Sequence, residues 1–261
     1  MLPKNNQLVK WLEDNTLRTI IFDFDGVLLE VKEPLERSVR EVFEKNDIEA
    51  DLDKSIQEIG SVLESVQGYP MPKIILESHD IFQYITTLKD ISFLQKLRLA
   101  TEIFTKYLEY EKDAQLFPEA YLLIKELSKK YDLYIVSHNQ TKNLEHHLKE
   151  KNIGQYFKDV FGADLLPELK PSPHALEPVL SDYSPLDRNE FVMIGDMPTD
   201  IEAGQEAGIW TVAISSGISN KDILSNYRPN LLIDSLTDLL ELFRIEFSNK
   251  AIKTAKESIK T

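Results

Sequence analysis

The chain has 261 residues, 42 % of them hydrophobic, and a formal net charge of −14. That length accommodates one large domain or a core with an insert, and the acidic balance argues against a nucleic-acid partner, which needs a clustered basic face. With no cysteine in the chain, disulfides, thiolate metal ligands and thiol nucleophiles are excluded. The net charge does not exclude a small anionic substrate, because the local field governs a pocket.

A short amphipathic helix is expected at 6–15, and its mixed charges leave no signal-peptide core. The first strand is predicted over 19–24. There the apolar run Ile20, Ile21, Phe22 stops at Asp23 and Asp25, with Gly26 next. Alternation puts both aspartates on one side of the strand end. Two carboxylates ~4 Å apart repel by about 4 kcal/mol at an effective dielectric of ~20, so folding alone does not favour the pair. A bound cation, or a proton on one carboxyl, relieves the repulsion.

From 32 to about 115 the pattern is helical. Leu35, Val39, Val42 and Phe43 share a face, as do Ile56, Ile59, Val62, Leu63 and Val66. The stretch from Gly68 to Pro72 breaks the pattern. Helices are expected near 73–87 and 90–112, with Ile74, Ile75, Ile81, Phe82 and Ile85, then Phe93, Leu97, Phe104 and Leu108, as packing stripes.

After Phe117 and Pro118 the texture changes to α/β alternation. Strands are predicted at 133–136, 160–162, 191–194, 210–214 and from 231. Helices at 118–130, 141–151, 173–181 and 198–207 separate them, and another follows the last strand. Such alternation implies a Rossmann-like, doubly wound parallel sheet. No run approaches 18 uncharged apolar residues, so no membrane-spanning helix is expected.

Ligands of such sheets bind beyond the strands' carboxyl ends. The strand at 133–136 ends in Ser137, His138 and Asn139, and that at 191–194 in Gly195 and Asp196, with Asp200 opening the next helix. Lys170 lies just before a proline-initiated helix. Ser137, Asp196 or Asp200 taken singly could be a capping residue. Together they aim two more carboxylates, a hydroxyl and an ammonium at the rim that carries Asp23 and Asp25.

These residues resemble the motifs of the haloacid dehalogenase-like hydrolase superfamily, in its phosphoglycolate phosphatase-like, capped branch. The likeness runs from about residue 17 to 240, with Asp23, Asp25 and Gly26 as the first motif, Ser137 as the second, Lys170 and Pro171 as the third, and Gly195, Asp196 and Asp200 as the fourth. The stretch from Asp200 to Gly208 resembles the phosphoglycolate phosphatase pattern as well. The resemblance implies a Mg²⁺-dependent phosphatase acting on a small phosphorylated metabolite such as phosphoglycolate, a sugar phosphate or a nucleotide. Asp23 would be the nucleophile and Asp25 the acid and base. Ser137, His138, Asn139 and Lys170 would face the substrate. Asp23, Asp25 through its backbone carbonyl, Asp196 and Asp200 would form the metal site, with Asp200 orienting Lys170 or a water.

Among the intervals between motifs, only that from Asp25 to Ser137 can hold an extra domain. The expected organisation is thus an α/β core over 1–31 and 116–261 with an all-helical C1 cap over 32–115. Two features depart from relatives. Leu28, Leu29 and Glu30 stand where many carry an aspartate and a serine, and Gly195 stands where mutases carry a second acid. The alternatives are a phosphomutase of the same fold and a non-catalytic binding module. A cytoplasmic protein without nucleic-acid or membrane partners is expected. His146 and His147 read as a solvated helix face, His79 and Asp80 as cap residues, and the lysines after Ser248 as fraying or capping the last helix.

Overall fold

The computed structural model describes residues 16–66, 85–89 and 91–259. The helix expected at 6–15, the break at 68–72, most of that at 73–87, and His79 and Asp80 lie outside the described residues. The chain divides into two compact units, one formed by residues up to Glu30 together with those from Leu116, the other running from Val31 to Gln115.

The first unit is built on six parallel strands: β1 Thr19–Phe22, β2 Asp132–Val136, β3 Asp159–Phe161, β4 Phe191–Gly195, β5 Trp210–Ile214 and β6 Leu231–Ile233, in the order β3-β2-β1-β4-β5-β6. β1 and β4 are buried at every position. A parallel sheet covered on both faces needs such continuous apolar runs. Phe22 stands level with Ile135 of β2 and Ile194 of β4. The carboxyl ends of the three central strands therefore finish together. The chain leaves β1 toward β2 and β3, then returns to its other side with β4. This is the switch point at which open α/β sheets bind ligands.

The strands are β-branched and aromatic, as their propensities require. Boundaries differ from the sequence reading where polar chemistry intervenes. β1 stops at Phe22 because the next residues turn. The helix expected at 173–181 is a 3₁₀ turn, Pro173–Leu176, running into one short α-turn, Glu177–Leu180. The proline at Pro178 lacks the N–H that would continue the ladder. The lysines after Ser248 form a helix of their own, Asn249–Ile259, which packs against the helix Ala120–Leu127 and buries Ala255.

The described part of the second unit contains α1 (Lys32–Lys45), α2 (Leu52–Val66), a 3₁₀ turn (Thr86–Leu88) and α3 (Phe93–Glu111). Leu35, Val39, Val42 and Phe43 are buried on α1, and Ile56, Ile59 and Val62 on α2, as their spacing predicts. On α3 the expectation fails. The buried stripe is Leu99, Ile103, Tyr107 and Glu111, whereas Phe93 and Leu108 are exposed. The helix carries two apolar stripes, and packing against α1 selects the second.

Glu41 of α1 fastens this pairing. It accepts from Lys106 Nζ (2.5 Å) and the Tyr110 hydroxyl (2.7 Å) of α3, and from Arg37 Nε (3.0 Å) one turn away. These hydrogen bonds, Lys106's first, hold the Glu41 carboxyl down at about 2. Ser92 caps α3 reciprocally with Gln95. Among the described residues no helix is long and apolar enough to cross a membrane.

Candidate active site

All eight site residues expected from the sequence fall in the first unit, and the structure buries every one of them. The chain turns immediately after β1. The Asp23 N–H still donates to the Ile194 carbonyl at 2.9 Å, so its backbone is held as in the sheet. Asp23 Oδ1 accepts the Phe24 N–H at 2.7 Å. The Phe24 carbonyl then accepts the N–H groups of Leu28 and Leu29, each at 2.9 Å, which closes the loop carrying Asp25.

Gly26 sits at φ +77°, where L side chains are strained, and a Cβ there would collide with the Asp196 carboxylate. A Cβ on Gly217 would strike the same carboxylate. Two glycines thus cradle Asp196. Its Oδ2 accepts the Ile218 N–H at 2.7 Å, while its Oδ1 is buried with no hydrogen-bond partner.

Lys170 stands at the centre of the charge pattern. Its side chain is 1 % exposed. Nζ lies 2.5 Å from Asp200 Oδ1, 3.3 Å from Asp23 Oδ1 and 3.2 Å from the Val136 carbonyl oxygen. An ammonium has three N–H bonds, and here three oxygens meet them. Asp200 Oδ2 accepts the Met197 N–H at 3.0 Å, so this carboxylate both closes a helix N-terminus, at Pro198–Glu206, and braces Lys170.

Ser137 follows β2, its N–H donating to the Phe161 carbonyl at 3.0 Å and its Oγ accepting the Asn139 N–H at 3.1 Å. His138 is buried beside it. The Asn139 side chain donates from Nδ2 to Asp25 Oδ2 at 3.1 Å.

Four buried carboxyls with one lysine carry an excess of negative charge. Burial, opposed by Lys170 and reinforced by Asp200 and Asp25, pushes Asp23 up to about 7. Burial, with Asp23 and Asp200 adding to it, raises Asp196 well above its ordinary value. Among the described residues, Asp23, Asp196 and Asp200 offer ligand oxygens that all lie within 4.8 Å of one another. The unpartnered Asp196 oxygen, the glycine cradle and the all-oxygen donor set fit a hard divalent cation such as Mg²⁺.

Asp23 titrates near 3.8 when unfolded and near 7 when folded, so the metal-free native state holds more protons between those values. Its stability therefore falls as pH rises through that window. A Mg²⁺ ion held by these carboxylates would compete with the protons, and is expected to restore more stability at pH 8 than at pH 5. Thermal unfolding in chelator and in Mg²⁺ at both pH values reads this directly. An equal Mg²⁺ effect at the two would contradict it.

Sequence reasoning missed four contributors. Gly217 and Ile218 hold Asp196, and they were findable because they follow β5, whose carboxyl end belongs to the same rim. The Val136 carbonyl on Lys170 carries no sequence signal. His147, expected on a solvated face, is 1 % exposed, with its ring 5.9 Å from that of Phe24 between the two aspartates. It shares a buried stripe with Leu144 and Leu148, a spacing that outweighs the charged neighbours His146 and Lys149.

The chain belongs to the haloacid dehalogenase-like hydrolase family, whose model matches residues 20–214. It is similar to a phosphoglycolate phosphatase of Vibrio parahaemolyticus, 27 % identical over 239 residues that cover 88 % of this chain and 97 % of that protein. It is likewise similar to the pyrophosphatase PpaX of Bacillus anthracis, 26 % identical over 243 residues covering 87 % and 96 %. A solved haloacid dehalogenase-like hydrolase from Streptococcus pneumoniae shares the fold with a TM-score of 0.64 at 22 % identity, over 87 % of this chain and 99 % of that one.

Proposed function

We propose that this hydrolase is a Mg²⁺-dependent phosphatase that cleaves a small phosphomonoester through an aspartyl-phosphate on Asp23. The observation that carries the reading is a buried carboxylate at the end of the central strand, with the Lys170 ammonium 3.3 Å away. A carboxylate so placed can attack phosphorus, while the ammonium neutralises charge on the phosphoryl oxygens.

In the first step an Asp23 oxygen bonds to phosphorus and the ester P–O bond breaks. The Asp25 carboxylic acid gives its proton to the leaving oxygen. In the second, water attacks phosphorus, the Asp25 carboxylate takes the water's proton, and the bond to Asp23 breaks to release phosphate. Ser137 and Lys170 hold the phosphoryl oxygens, with His138 and Asn139 on the same rim. Asp200 keeps Lys170 in place. Asp23, Asp196 and the Asp25 backbone would hold Mg²⁺, and Asp200 completes the acidic set. The cation would supply charge neutralisation for the dianionic substrate.

The insert, residues 32–115, is proposed as a cap that excludes water during the reaction. A cytoplasmic setting and a substrate of metabolite size belong to the same reading. The names of two relatives place phosphoglycolate and pyrophosphate first among the compounds to try.

The test is phosphate release from a panel of phosphorylated metabolites, with Mg²⁺ and with chelator. Release from one or a few compounds, abolished by chelator, is the expected result. Isomerisation of a sugar phosphate without net phosphate release would replace the reading with a phosphomutase.

A further inference from the structure

Asn139 is 6 % exposed, and its side-chain amide is held from both ends. Its Oδ1 accepts the backbone N–H of Gln140 at 2.9 Å and Asn143 Nδ2 at 3.1 Å. A backbone N–H can only donate, so the atom facing it must be the amide oxygen. The other end of the amide is therefore the NH₂ group, and it lies 3.1 Å from Asp25 Oδ2. The backbone is pinned as well, with the Asn139 N–H on Ser137 Oγ at 3.1 Å and the Asn139 carbonyl accepting from Ala163 N–H at 2.9 Å.

An oxygen that accepts from an obligate donor cannot itself carry a proton directed at that donor. When Asp25 is a neutral acid, its proton must therefore reside on Oδ1 or point away from Asn139. We infer that Asn139 is a positioning residue for Asp25, fixing the carboxyl's rotation and so the direction in which it donates and later accepts a proton. Asn143 is the outer anchor, holding the Asn139 amide in the required sense. The inference rests on the phosphatase reading, in which Asp25 exchanges a proton with the leaving group and then with water. It differs from a phosphoryl-holding role for the same side chain, which would act on substrate affinity for every ester alike.

Leaving-group dependence separates the two roles. An alkyl phosphate leaves as an alkoxide and needs the acid, whereas p-nitrophenyl phosphate leaves as a stable phenolate and does not. For Asn139→Ala, kcat/KM on an alkyl phosphate, which reports the steps up to departure of the leaving group, is expected to fall about 10- to 100-fold, part of the ~10²–10⁴ that a positioned acid supplies. On p-nitrophenyl phosphate the expected loss of kcat/KM is under about 3-fold. Asn143→Ala, at an exposed position that keeps the Asn139 side chain, should give a smaller loss in the same direction. Equal losses of kcat/KM on the two esters would overturn the inference while leaving the phosphatase intact. A folded wild-type protein that hydrolyses neither ester nor any metabolite would remove both readings together.

Discussion

Replacing Asp23 by asparagine is expected to lower phosphatase turnover by at least about 10⁴-fold, the scale on which loss of a covalent nucleophile is felt. The amide is nearly isosteric, so the Ile194 hydrogen bond to the backbone and the Phe24 contact to the side-chain oxygen persist. It cannot attack phosphorus. The same change removes a carboxylate that burial already pushes up to about 7. The metal-free variant should therefore be more stable than the wild type at pH 8, where the native carboxylate is charged and buried. At pH 5 the two should converge. Phosphate release and thermal unfolding in chelator measure the two effects on the same samples. Turnover near wild type, in protein shown by mass to be free of the aspartate form, would remove the nucleophile role from Asp23.

Replacing Lys170 by methionine should disturb stability as much as activity. The ammonium faces Asp200 at 2.5 Å and Asp23 at 3.3 Å with a side chain 1 % exposed. Removing one partner from a buried charge cluster costs about 3–5 kcal/mol, because the remaining carboxylates lose their counter-charge. Turnover should fall by about 10²–10³-fold through loss of charge stabilisation at the phosphoryl group. The destabilisation should shrink at pH 5, where protons replace the missing cation. Urea unfolding at pH 5 and 8 checks this, and an equal loss at the two values would point to packing in place of charge.

Much of the fold was legible because its signals are local. The apolar run at Ile20–Phe22, interrupted by Asp23 and Asp25, marks a central strand and its carboxyl end together. Strand–helix alternation after Phe117 implies parallel pairing, since parallel strands need long crossovers. Once the sheet is parallel, the rim is fixed, and Ser137, Lys170, Asp196 and Asp200 must converge near it. The contacts within that rim are a different matter. The donation from Asn139 to Asp25 joins residues far apart in the chain, and the Val136 carbonyl on Lys170 is backbone chemistry that any residue could supply. His147 was misplaced because its charged neighbours were weighed above its spacing from Leu144 and Leu148, which marks the inward face.

Periodicity and residue type are properties of short segments, and they were enough to place the strand–helix alternation, the residues that meet at the rim and the long interval between Asp25 and Ser137. Residue type does not reveal which of two apolar stripes α3 buries, which Asp196 oxygen accepts from Ile218, or which way the Asn139 amide faces. Those choices depend on atoms brought together by folding, where a buried donor or acceptor must find its partner and an apolar stripe is buried only if another surface meets it.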